Sequence, residues 1–281
     1  MTVLSMFADV LFCINSRVYA IISDREISGE IRMIYLVFPT ETEMRPLYEA
    51  LISGREVLFG RKRGLSGLIA DRPVKAVAAG IGQANTAHAL TSMLEYGPGG
   101  LVILAGCAGA YPGSGLKVGD VAVATQESYV QLGAQTPDGF MGLEEMGLPT
   151  LVAGGDPYFG AYPFSDEFHS ELKVAAERSR FVSSKASKAR PKLHFGPFLT
   201  VSTVTGTTEA GKELFGRYGA VCENMEGAAA AQLCTMYGVP CIEVRGISNI
   251  VEDRDRSKWE VAVASRNCVE LIKNFIGQWN G

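Results

Sequence analysis

The 281-residue chain is 47% hydrophobic, ample for a buried core, and its 26 Lys and Arg against 30 Asp and Glu leave a net charge of -4. That balance lacks the basic excess that a nucleic-acid backbone calls for, so nucleic acid is not an expected partner. The six cysteines form no C-x-x-C pair and read as reduced thiols of a cytoplasmic protein; the three histidines lack ligand spacing, so neither a metal nor a cofactor is expected.

In chain order, residues 1–32 fit the remainder poorly. Residues 1–20 are apolar but lack a basic start, a small-residue cleavage site and spanning length, so neither a signal peptide nor a membrane segment is expected. Residues 1–32 read either as an extension ahead of a functional start at Met33 or as a genuine edge element. From Met33 to the end, short Val- and Ile-rich runs alternate with helical patterns, which predicts a single α/β domain over residues 33–281. The runs predict strands over 34–38, 74–79, 101–105, 121–125, 198–202 and 241–246. Several are apolar throughout, as in a sheet covered by helices on both faces. Three- and four-residue apolar steps predict helices over 43–53, 84–95, 165–180, 209–217, 225–237 and 258–276. Between 126 and 163 the pattern breaks into a long irregular stretch of the kind that walls a pocket, and 183–191 reads as an exposed loop.

Several positions could carry chemistry. Gly80 to Asn85 opens a helix after a strand but lacks the third glycine of a dinucleotide-binding loop, which favours a plain tight turn. Gly106, Cys107, Ala108, Gly109 and Ala110 form a second glycine-rich turn at a strand end, either a bend or a place where a ligand approaches the backbone. Glu226 begins a helix too small and apolar to be exposed; it is either a capping acid or a carboxylate accepting hydrogen bonds from two adjacent hydroxyls, as a ribose diol supplies. Ser248 and Asn249 end a buried strand, where Asn249 either shapes a turn or pairs with a 6-oxopurine. Of Glu41 and Glu43 behind the first strand, one suffices as a general base.

The runs LAGCAGAYPGSGLKVGDVAVAT (104–125), TVSTVTGT (200–207), ENMEGAAAAQLC (223–234) and VRGISNIVEDRDRSKW (244–259) resemble, in order, the purine nucleoside phosphorylase and methylthioadenosine nucleosidase superfamily, and most of all its futalosine hydrolases. The resemblance implies an α/β fold with a central mixed, partly barrel-like sheet flanked by helices, a purine nucleoside as small-molecule substrate, and a homodimer or larger homo-oligomer. Carried over residue by residue, it implies that Glu43 activates the attacking water, Glu226 binds the ribose hydroxyls and Met225 packs on the sugar. Asn249 replaces an aspartate of adenine-specific nucleosidases, which implies a 6-oxopurine such as hypoxanthine held by hydrogen bonds. Cys107, Ala108, Gly109, Gly206, Thr207 and Ser248 would complete the base pocket and sugar cradle. Phosphorylases of the superfamily place an arginine where this chain has Leu104, with no cation expected nearby, which favours water over phosphate as nucleophile. Phosphorolysis and non-catalytic nucleoside binding are the alternatives. Arg254 or Arg256 could pair with a substrate carboxylate, or simply lie in a solvated loop.

Overall fold

The computed structural model describes residues 32–97, 99–185 and 187–279; the expectations for residues 1–31 lie outside the described residues. The described residues run through β1 (Ile34–Phe38), α1 (Glu41–Met44), a 3-10 turn (Arg45–Glu49), β2 (Ile52–Phe59), β3 (Lys62–Ile69), β4 (Arg72–Ala78), α2 (Gln83–Tyr96) and β5 (Leu101–Ala110). There follow β6 (Val121–Tyr129), β7 (Gly133–Thr136), β8 (Gly139–Gly142), α3 (Leu143–Met146), β9 (Leu151–Ala153), β10 (Asp156–Tyr158), β11 (Ala161–Pro163) and α4 (His169–Arg178). The last part is β12 (Leu193–Thr200), α5 (Thr208–Tyr218), β13 (Cys222–Asn224), α6 (Gly227–Tyr237), β14 (Cys241–Ile250) and α7 (Val261–Ile276).

Ten strands form one mixed sheet, and part of it closes on itself. β5 pairs antiparallel with β13, β13 parallel with β12, β12 parallel with β6, β6 antiparallel with β14, and β14 parallel with β5, so these five strands make a barrel. The sheet continues outward from β5 through β1, β4, β3 and β2. The uniformly apolar β1 is buried at every position because both faces are covered. Ile34, Leu36 and Phe38 face the core built with α4 and α7, including Leu172, Leu271 and Phe275. Tyr35 and Val37 face the opposite core, which holds Leu90 and Met93 of α2 and Ala230 of α6.

Four departures from the sequence expectation have physical causes. The helix expected over 43–53 stops at Met44, because Pro46 has no N–H to continue the α ladder; the chain tightens into the 3-10 turn and re-emerges as β2. β2 and β3 had no matching expectation, since a hairpin with an exposed outer strand carries little apolar signal. The glycine-rich stretch 106–110 is not a turn but the second half of β5, held in the ladder by β13 and β14. Likewise the 241–246 strand runs on to Ile250, with a register shift between Ile247 and Asn249. Within 126–163 the chain makes two small hairpins and packs on α6, where Gln232 accepts from the Tyr129 hydroxyl and donates to the Thr150 carbonyl. No helix among the described residues is long and apolar enough to cross a membrane.

Candidate active site

Glu43 is fixed by the short helix α1. Thr40 caps that helix by accepting the Glu43 N–H at 3.2 Å, and its hydroxyl donates to Glu43 Oε2 at 2.6 Å. The other carboxylate oxygen accepts the Cys107 N–H at 2.8 Å, which ties α1 to the middle of β5. Glu43 is only 8% exposed, and burial pushes its carboxyl pKa up. The Thr40 and Cys107 hydrogen bonds and Arg245 pull it back down, while Glu226 adds to the rise.

Glu226 lies at the start of α6 and is also buried. Its Oε1 accepts the Gly82 N–H at 2.9 Å, and its Oε2 accepts from Met225 N and from Arg245 Nη1, both at 3.3 Å. The Gly80 to Asn85 turn thus supplies a backbone donor to a carboxylate rather than a cradle for a dinucleotide. Gly80 and Gly82 both adopt positive φ, at 97° and 91°, which explains the two glycines.

The sequence pointed to no cation near this place, and the structure corrects that. Arg245 of β14 is fully buried and ion-paired with Glu226 and Glu243. Its Nε donates to Glu243 Oε1 at 2.8 Å, Nη1 to Glu226 and to the Cys107 carbonyl at 3.3 Å, and Nη2 to Asn224 Oδ1 at 3.1 Å. Burial works against the guanidinium charge, but Glu243 and Glu226 outweigh it and hold the pKa up. Every nitrogen of Arg245 is engaged, so it is not a free anion holder. Gly106 is where these parts converge: a Cβ there would stand 2.8 Å from Arg245 Nη1 and 2.9 Å from Glu43 Oε1. One signal of Arg245 was legible, namely Glu243 and Arg245 two residues apart, hence on one face, in a run otherwise without polar side chains from Cys241 to Ile247.

The remaining predicted residues fall into two groups. Cys107 contributes its peptide, while its thiol turns away to Ser265 Oγ at 3.3 Å. Ala108 and Gly109 pair with Ile247 and Asn249 across β5 and β14. The single Ser248 hydroxyl proton is shared between the Ala108 carbonyl at 3.2 Å and Asn249 Oδ1 at 2.8 Å, and Asn249 Nδ2 donates to the Ile250 carbonyl at 3.2 Å. Asn249 stands over Gly109, where a Cβ would be 3.2 Å from Nδ2. Met225 is half-buried against the cluster of Tyr111, Leu199, Val201 and Val251. Gly206 and Thr207 form a separate group in the loop before α5: Thr207 caps that helix, and the neighbouring Thr205 N–H and hydroxyl bind Glu223, whose register partner is Gly109. Leu104 is buried in β5. Arg254 and Arg256 flank the Trp259 ring at 4.8 and 5.9 Å, with no bond to the carboxylate cluster. A cavity of about 280 Å³ among Pro163, Phe164, Ala231, Cys234, Pro240 and Cys241 lies toward the far end of α6 from Glu226 and holds none of the predicted site residues. The buried carboxylates of Glu43 and Glu226 and the Arg245 guanidinium lie apart from it, around the Cys107 peptide.

The sequence model of the phosphorylase superfamily matches residues 34–277. A futalosine hydrolase of Thermus thermophilus is 30% identical over 249 residues, which span 89% of this chain and 97% of that protein. Another futalosine hydrolase, of Acidothermus cellulolyticus, is 34% identical over 82% of this chain and 86% of its own. The crystal structure of a 5'-methylthioadenosine/S-adenosylhomocysteine nucleosidase from Colwellia psychrerythraea, in complex with adenine, shares the fold with a TM-score of 0.73 at 22% identity, over 90% of this chain and 97% of that one. The chain belongs to the phosphorylase superfamily. Within it, its class is that of the N-glycosyl hydrolases, the nucleosidases.

Proposed function

We propose that this chain hydrolyses the N-glycosidic bond of futalosine, releasing hypoxanthine and dehypoxanthine futalosine, as a cytoplasmic, homo-oligomeric enzyme of menaquinone biosynthesis. The observation that carries the reading is the pairing of buried Glu43 and Glu226 across the Cys107 peptide and Arg245. Its substrate rests on the futalosine hydrolases among the relatives. In this reading the sugar becomes oxocarbenium-like as the purine departs, and Glu43, its pKa raised by burial toward the working range of a base, takes a proton from water aimed at the anomeric carbon. Glu226 accepts the ribose hydroxyls, and Met225 packs on the sugar. Asn249, which neither gains nor loses a proton near neutral pH, holds the 6-oxopurine, with Ser248, Ala108, Gly109 and the backbone of Gly206 and Thr207 around the base. Leu104 brings no charge for phosphate, and Arg245 is already bound to two carboxylates, which supports water as the nucleophile.

The test is to incubate the protein with futalosine, inosine and methylthioadenosine, each with and without phosphate, and to follow free base by chromatography. Hypoxanthine released from futalosine without phosphate is the expected result. Release from inosine only with phosphate would make the chain a phosphorylase, and ligand bound but never cleaved would make it a binding protein.

A further inference from the structure

Behind Glu226 lie two carboxyl groups that the proposed reaction does not use. Glu127 of β6 and Glu243 of β14 are both fully buried inside the barrel. They meet at Gly227, the first residue of α6: a Cβ there would overlap Glu127 Oε1 and lie 2.5 Å from Glu243 Oε2. Glu243 uses Oε1 to accept from Arg245 Nε, whereas its Oε2 has no donor among the described residues. Glu127 is differently placed, in a nest of donors. Its Oε2 accepts the Thr200 hydroxyl at 2.9 Å and the Ser128 N–H at 3.1 Å, and its Oε1 accepts Asn224 Nδ2. The orientation of the Asn224 amide is settled by its other end, because Oδ1 accepts from Glu226 N, Gly227 N and Arg245 Nη2.

Two ionised carboxylates cannot face each other in a dry interior, and an unmatched buried acceptor is costly. A proton on Glu127 aimed at Glu243 Oε2 removes both problems. We propose that Glu127 and Glu243 share one proton across Gly227 and, as an acid pair, hold Arg245 in place against Glu226. The pair then carries one negative charge, matched by Arg245, and Glu243 is pinned at both oxygens. With Nε fixed by Glu243 and Nη2 by Asn224, the guanidinium plane is set and Nη1 points at Glu226. Glu127 and Glu243 are thus positioning residues for the sugar-binding carboxylate, a role that rests on the nucleosidase reading; the shared proton does not.

The titratable groups facing the pair are Arg245, Glu226, Cys222, Cys241, Tyr111 and Tyr129. The two thiols and two phenols are pushed up, Cys241 first by its hydrogen bond with Cys234 and then by burial, Cys222, Tyr111 and Tyr129 first by burial, so Arg245 supplies the positive charge. The carboxyls of the pair are themselves raised, both by burial first; the Glu243 charge adds to the rise of Glu127 against the Asn224 and Thr200 hydrogen bonds, and Arg245 and the hydrogen bond with Glu127 oppose the rise of Glu243.

An unfolding measurement reads the proton without reference to activity. Above the ordinary carboxylate range the unfolded chain has lost this proton and the folded chain keeps it, so the folded state is favoured at low pH and loses ground as pH rises. The folding constants of wild type and Glu127→Gln, compared from about pH 5 to about pH 8, are expected to diverge by up to about tenfold per pH unit in favour of the variant as pH rises. Parallel curves would overturn the shared proton. Should Glu127→Gln fail to fold, infrared spectroscopy of Glu43→Gln protein is expected to retain a protonated-carboxyl band at neutral pH, and absence of that band overturns the proposal equally. For the positioning role, Glu127→Ala should raise KM for the cleaved nucleoside by about tenfold to a hundredfold, the cost of a small misplacement, with Glu127→Gln restoring most of it. An unchanged KM in the folded Ala variant would sink that role. A wild type that cleaves no nucleoside would sink the nucleosidase reading and with it the positioning role, while the unfolding curves still decide the proton.

Discussion

Arg245 Nη1 lies 3.3 Å from Glu226 Oε2, and the two side chains are 0% and 4% exposed. An ion pair this dry has little value as isolated Coulomb energy, because both charges were taken out of water to make it. Breaking it is another matter. Arg245→Met would leave Glu226 and Glu243 facing each other without a cation, and a loss on the order of 3–5 kcal/mol is expected. Urea unfolding of the two proteins measures it; a loss below about 1 kcal/mol would mean that water or protonation compensates the carboxylates freely.

Removing the proton acceptor should separate binding from turnover. Glu43→Gln keeps the shape of the side chain and can still accept the Cys107 N–H, so ligand binding is expected to survive. Turnover should fall by about 10²–10⁴, the usual worth of a general base. Calorimetric binding alongside base release provides the check, and retained turnover would remove Glu43 from the mechanism.

The pH dependence follows from the raised Glu43 carboxyl, whose shift comes first from burial. Glu43 must be ionised to act as a base, so kcat/KM should fall on the acid side at a pH above the ordinary carboxylate range. Stability moves the opposite way. A folded pKa raised above the unfolded one favours the folded state at low pH and ceases to do so as pH rises through the folded value, so Glu43→Gln should gain stability over wild type toward neutral pH. An acid limb at the ordinary carboxylate pKa would contradict this.

Asn249 offers a specificity test. In Asn249→Asp the carboxyl can donate a proton to a purine ring nitrogen, so the ratio of kcat/KM for 6-amino over 6-oxo nucleosides should rise by at least about tenfold. Competition between paired substrates measures the ratio. If it stays constant, base recognition lies elsewhere.

Gly106 leaves no room for a side chain, its hypothetical Cβ standing 2.8 Å from Arg245 and 2.9 Å from both Glu43 and Pro39. Gly106→Ala should cost about 1–3 kcal/mol of stability by overpacking and displace the Glu43 carboxylate. Unfolding and turnover measured together give the answer, and an active, equally stable variant would show that β5 can shift.

How far the sequence reaches depends on which forces act locally. The apolar run 34–38, the helix at 84–95 and the small-residue helix after Glu226 were legible because burial pattern and periodicity are properties of adjacent residues. So was the alternation that defines an α/β chain, whereas the residues alone left Glu41 and Glu43 open as candidates and Glu226 divided between a cap and a diol-binding role. Tertiary structure alone decided that 106–110 is barrel strand and not a turn, since β13 and β14 supply its ladder from far along the chain. It alone brought Glu127, Glu243 and Arg245 into one dry cluster under Gly227. Buried charges are tolerable only where a partner meets them, and which residue meets which is fixed by how a barrel closes, a relation between segments that no local pattern encodes.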